Sequence, residues 1–105
     1  MRQIIWTNFA IAELKNIFLY YRMAASEKTA DKIKKSIFAA TKTIIRQPLT
    51  GAVEENLTGP KQGHRYIVEG NYKIIYRVIE NAIYITDIFD CRQNPTKMKR
   101  HSTKE

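Results

Sequence analysis

Tyr72-Lys73-Ile74-Ile75-Tyr76-Arg77-Val78-Ile79 decides how this chain is read. The run is rich in β-branched and aromatic residues and follows Gly70-Asn71, the pattern of a strand entered through a turn. Side chains alternate across a pleated strand, so Tyr72, Ile74, Tyr76 and Val78 form one amphipathic or apolar face. Lys73, Ile75, Arg77 and Ile79 form the other, where cations alternate with aliphatic residues. One face is therefore expected to bury while the other presents charge from a rigid platform.

Flanking runs extend this strand into a meander. His64 to Glu69 and Ala82 to Phe89 read as its neighbours, joined near Gly70-Asn71 and Glu80-Asn81. A two-residue turn at 80 and 81 predicts the pairs Arg77 with Tyr84, Ile75 with Thr86 and Lys73 with Ile88. The even-numbered side of the last strand, continued to Asp90 and Arg92, would then lie with Lys73 and Arg77. Arg65 joins that side if the first turn takes the three residues Glu69-Gly70-Asn71 in a bulged hairpin, and faces away if the turn has two.

Upstream, Arg2 to Trp6 is a short apolar strand, and Thr7 is placed to cap a helix over Asn8 to about Met23. Ala10, Leu14, Ile17, Phe18 and Tyr21 recur at spacings of three and four and make its buried stripe. Ser26 starts a second helix, with Glu27 and Asp31 near the favourable end of its dipole. Its apolar stripe is Ile33, Ile37, Ala40 and Ile44; Lys28, Lys32, Lys35, Lys42 and Arg46 follow another side, and Pro48 stops it. The short connection predicts an antiparallel hairpin. Residues 49 to 63 hold three of the four glycines and read as an irregular loop carrying Glu54, Glu55 and Leu57.

The expected fold is α+β: a single N-terminal strand, an antiparallel helical hairpin and a three-stranded antiparallel meander, with the helices on one sheet face. Residues 1–92 form one domain; 93–105 are a basic tail carrying Lys97, Lys99, Arg100, His101 and Lys104, read as a short helix or a segment disordered until bound.

Composition narrows the function. With 105 residues and 44% hydrophobic content the chain can bury a real core. One cysteine and two histidines predict neither an internal disulfide nor a metal site, and no cofactor motif is present. No run approaches the ~18 apolar residues of a membrane span, and the N-terminus lacks a signal-peptide pattern, so a cytoplasmic protein without membrane contact is expected. The formal charge of +8 favours polyanionic partners.

Trp6, the hairpin, Gln47-Pro48-Leu49-Thr50-Gly51, Glu54-Glu55-Asn56-Leu57, His64-Arg65-Tyr66, Tyr72 through Val78 and Asp90-Cys91-Arg92 together resemble the RelE/ParE superfamily of bacterial toxins, over residues 3 to 98. The resemblance implies the fold above and neutralisation by a cognate antitoxin, expected to be acidic and partly disordered, the toxin being a monomer or bound to that antitoxin. It implies one of two targets. RelE-like and YoeB-like members cut messenger RNA on the ribosome with cations on the sheet face, a carboxylate or lysine base and a C-terminal Tyr or His. ParE-like members poison DNA gyrase and lack that set. Arg65, Lys73 and Arg92 fall where the nuclease branch carries cations, and Glu55 falls near its glutamate. Met98 stands at the expected terminal Tyr, and the long hairpin and Tyr76-Arg77-Val78 are ParE-like.

Ribosome-dependent cleavage of messenger RNA is the leading expectation, with gyrase inhibition and a member that only binds its antitoxin as alternatives. Metal-free cleavage needs a base, cations on the phosphorane-like transition state and an acid for the leaving oxygen. Lys73, Arg92 and Arg65 would grip the phosphate. Glu55 or His64 would be the base and His101 the acid, with Arg77 and Lys97 as further RNA contacts. Each has a plainer rival: Arg92 pairing with Asp90 or Asp87, Arg77 lying over Tyr84, Glu55 balancing Lys61 or Arg65.

Overall fold

In the computed structural model, which describes residues 2–53 and 63–92, two helices cover one face of a five-stranded mixed sheet. The elements run β1 (Gln3–Trp6), α1 (Asn8–Ala24), α2 (Glu27–Arg46), β2 (Ala52–Val53), β3 (Arg65–Glu69), β4 (Tyr72–Ile79) and β5 (Ala82–Asp90). Both expected helix caps form. Thr7 Oγ1 accepts the Ala10 N–H at 3.2 Å and Ser26 Oγ accepts that of Thr29 at 3.1 Å, each relieving one of the unpaired donors at a helix start. Thr7 also donates its hydroxyl to the Ile85 carbonyl at 3.0 Å, so the cap fixes α1 to β5.

Spatial order in the sheet is β1-β5-β4-β3-β2. β1 runs parallel to β5, and the remaining neighbours are antiparallel. Ala10 and Leu14 of α1 and Ile37 and Ile44 of α2 bury against Tyr72, Ile74, Tyr76, Ile83, Ile85 and Ile88, with Ile4, Trp6, Ile17 and Tyr21 packed round them. These side chains come from α1, α2, β1, β4 and β5, so the core exists only when the first and last strands have both docked.

Two details depart from the expected pattern, the fifth strand and the bulge, and one alternative left open, the length of the first turn, is decided. Ala52 and Val53, read as loop, form a fifth strand opposite Tyr66 and Arg65. The turn at Gly70-Asn71 has two residues, with Glu69 opposite Tyr72 and Gly70 at φ +61°, a backbone region that glycine enters without steric cost. β5 carries a bulge: Tyr76 faces Ile85, while Ile75 faces Asp87, leaving Thr86 as the extra residue. Arg77 opposite Tyr84 is as expected, but the partners of Ile75 and Lys73 are Asp87 and Phe89, not Thr86 and Ile88. Past Thr86 the faces of β5 are exchanged.

Candidate functional site

That exchange divides the expected cationic site. Ile88 and Asp90 fall on the helix side beside Ile74 and Tyr72, whereas Asp87 and Phe89 fall on the other side beside Ile75 and Lys73. The two-residue turn places Arg65 opposite Tyr76, hence on the helix side. Among the residues nominated from sequence, Lys73 and Arg77 belong to one side of the sheet and Arg65 and Arg92 to the other, while His64 is buried just before β3. The shared face drawn from an unbroken period of two is therefore corrected. Glu55, Lys97 and His101 lie outside the described residues.

Each cation has specific company. The Lys73 ammonium sits over the Tyr66 ring, 4.2 Å from its centroid, close enough for a cation-π attraction. Tyr66 in turn packs with Ile75 and Phe89, a second and smaller buried cluster on the side away from the helices. Asp87, 4% exposed, is a buried polar member of the same side, and His64, 2% exposed, is buried just before β3.

Arg65 and Tyr76 hold the Pro48–Gly51 turn. Arg65 Nη1 donates to the Gly51 carbonyl at 2.8 Å and to that of Leu49 at 3.4 Å. Tyr76 Oη donates to the Pro48 carbonyl at 2.8 Å and accepts the Gly51 N–H at 3.0 Å. Burial pushes the Tyr76 hydroxyl above its ordinary pKa, against the opposing effect of the Gly51 N–H and the Arg65 charge. A Cβ on residue 51 would meet Tyr76 Oη and lie 2.7 Å from the Tyr66 carbonyl oxygen, so the close approach requires glycine. A guanidinium spent on two turn carbonyls is here a fastening of the chain.

Arg92 forms a fork onto Asp90, with Nε at 2.9 Å and Nη2 at 2.7 Å from the two carboxylate oxygens. This bidentate pair holds Asp90 below the usual carboxylate range and Arg92 above the usual guanidinium one. The pair borders a cleft of about 350 Å³ between α1 and the end of the sheet, walled by Glu13, Asn16, Tyr20 and Tyr72 and floored by Ile17 and Ile88. The Tyr72 hydroxyl donates to that of Tyr21 at 3.4 Å, and burial, then that bond, raises its pKa. Two carboxylates against one guanidinium, set among phenols and an amide, suit a partner's polar side chain better than a phosphate.

Sequence reasoning passed over Glu13, Asn16 and Tyr20. Their spacing of three and four, beside the buried stripe of α1, is the signal that marks them. Among the described residues no group of three or more His, Cys, Asp or Glu side chains is placed to hold a metal ion, and no helix is long and apolar enough to cross a membrane.

Residues 4–95 match the family model described as ParE toxin of type II toxin-antitoxin system, parDE. A solved structure described as the chromosomal ParDE TA system from P. aeruginosa superposes with a TM-score of 0.71 at 23% identity, covering 86% of this chain and 96% of that one. No curated protein matches.

Proposed function

The chain belongs to the ParE toxin family of type II toxin-antitoxin systems, and from that membership we propose that it restrains growth by protein contact with DNA gyrase, not by cutting messenger RNA. The observation that carries this reading is the separation of Arg65 and Arg92 from Lys73 by the thickness of the sheet. Cleavage without a metal needs several charged groups around one phosphate. Here Arg92 is engaged by Asp90 and Arg65 by the Pro48–Gly51 turn. Releasing either would leave a carboxylate or carbonyls to find new partners before a phosphate was gripped.

One observation favours the ribonuclease reading instead: Lys73 and Arg77 share the side away from the helices. The proposed setting is the cytoplasm, with an acidic, partly disordered antitoxin as the neutralising partner. The solved relative, named as a toxin-antitoxin system, supports such a partner.

Purified chain assayed in parallel for gyrase-dependent DNA breaks and for cleavage of messenger RNA on ribosomes separates the readings. Gyrase breaks unaffected by Lys73→Ala are expected. Messenger cleavage abolished by Lys73→Ala would overturn the proposal, and a chain inert in both assays yet bound by its antitoxin would identify a member that has lost its target.

A further inference from the structure

The outer side of α2 has no part in the sites described so far, and its charge is ordered. At about 100° per residue, Lys28, Lys32, Lys35, Lys42 and Arg46 fall within about 40° of one line along the helix. Buried Ala30, Ile37, Thr41 and Ile44 lie on the opposite side. All five cations are exposed, and they point away from the sheet. Between the first and the last the helix rises ~27 Å. Glu27–Arg46 contains six cations and two carboxylates, so this one helix carries half of the chain's formal charge of +8. Only Lys35 of the five is in an ion pair among the described residues, with Asp31 at 2.9 Å. Ala39, the one uncharged position in the row, is small and exposed and keeps the ridge open to close approach.

We propose that this ridge binds the phosphate backbone of B-form DNA, without reading its sequence. The major groove of B-DNA, roughly 12 Å wide, admits an α-helix, whereas that of A-form RNA is too narrow for side chains to read. The row contains no aromatic side chain on which unstacked bases would stack, which selects a duplex over a single strand. Four of the five cations are lysines, compact point charges that neutralise phosphates, with the planar fork used for bidentate recognition present only at Arg46, as suits binding that does not read sequence. This inference stands apart from the choice of cellular target, since duplex binding would be measured on the chain alone.

The test is fluorescence anisotropy with a labelled DNA duplex of two helical turns, titrated with the full chain across a range of salt. With Lys35 partly neutralised by Asp31, about four phosphates are engaged, giving a slope of log K against log salt near −3.6. Replacing Lys28, Lys32 and Lys42 by Gln should weaken binding about tenfold or more and flatten the slope by about three. A control in which Arg2, Lys15 and Arg22 become Gln loses the same charge elsewhere and should retain most of the slope. Circular dichroism establishes that both variants fold, as expected for exposed positions. No binding to DNA, equal losses in the two variants, or tighter binding to an RNA duplex or to polyglutamate would each overturn the proposal.

Discussion

Tyr76→Phe deletes one oxygen and leaves two backbone groups without their partner. The hydroxyl is fully buried, accepts from Gly51 N–H at 3.0 Å and donates to the Pro48 carbonyl at 2.8 Å. A buried polar group stripped of its partner costs roughly 1–3 kcal/mol. Arg65 already donates to the Gly51 carbonyl and has no acceptor to offer the Gly51 N–H. A total loss of about 2–4 kcal/mol is therefore expected, which for a domain of this size lowers the melting midpoint by about 10–25 °C. Urea and thermal unfolding followed by circular dichroism measure it. Gly51→Ala supplies the second arm, because its Cβ would crowd both Tyr76 Oη and the Tyr66 carbonyl. In the Tyr76→Phe background one of those obstructions is gone, so Gly51→Ala should cost less there by more than about 0.5 kcal/mol, the size at which coupling is distinguished from additivity. A Tyr76→Phe loss below about 0.5 kcal/mol, or strict additivity, would refute the view that this phenol secures the turn.

Deleting Thr86 removes the extra residue and makes Ile85 and Asp87 consecutive opposite Tyr76 and Ile75, an unbroken alternation that keeps Ile83, Ile85 and Ile88 on the helix side, so the shortened chain should retain a cooperative melt; loss of that melt would show that the observed register is wrong or that the bulge itself is required. Thr7→Ala loses both the cap on Ala10 and the bond to Ile85, and should cost about 1–2 kcal/mol in urea unfolding, where a nearly neutral result would contradict the cap. Arg92 lowers the Asp90 pKa, so the pair's stabilisation is present above the unfolded Asp value of about 3.9 and is lost as pH falls through the folded value. Because Arg92 is exposed and screened by solvent the effect should be small, and stability-pH curves should show a shallower acid limb for Asp90→Asn than for the parent chain.

Local chemistry made much of the fold legible. Thr7 and Ser26 announced the helix starts because their side chains satisfy donors a few residues away, and the two buried stripes followed from helical periodicity. Sheet order was less accessible, since nothing local to Gln3–Trp6 states that its neighbour is β5 and that the pairing is parallel. The bulge was missed because no glycine marks it. Its trace is the apolar series Ile83, Ile85, Ile88, which skips a step where an unbroken alternation would place Asp87 in the core. One residue of offset sent Arg92 to the helix side, and one fewer residue in the turn sent Arg65 there too. Candidate sites assembled across several strands inherit every such slip, whereas the Arg92 pairing with Asp90, two residues apart, needed no register at all.

The parallel docking of β1 on β5 also governs when a nascent chain can mature. Gln3 finds its neighbour at Ala82, and Thr7 finds its carbonyl partner at Ile85. During synthesis the opening segment and the hairpin must wait, with an apolar side uncovered, until the closing strand clears the ribosome. That delay leaves the apolar side of the hairpin open to any binder until the sheet is complete.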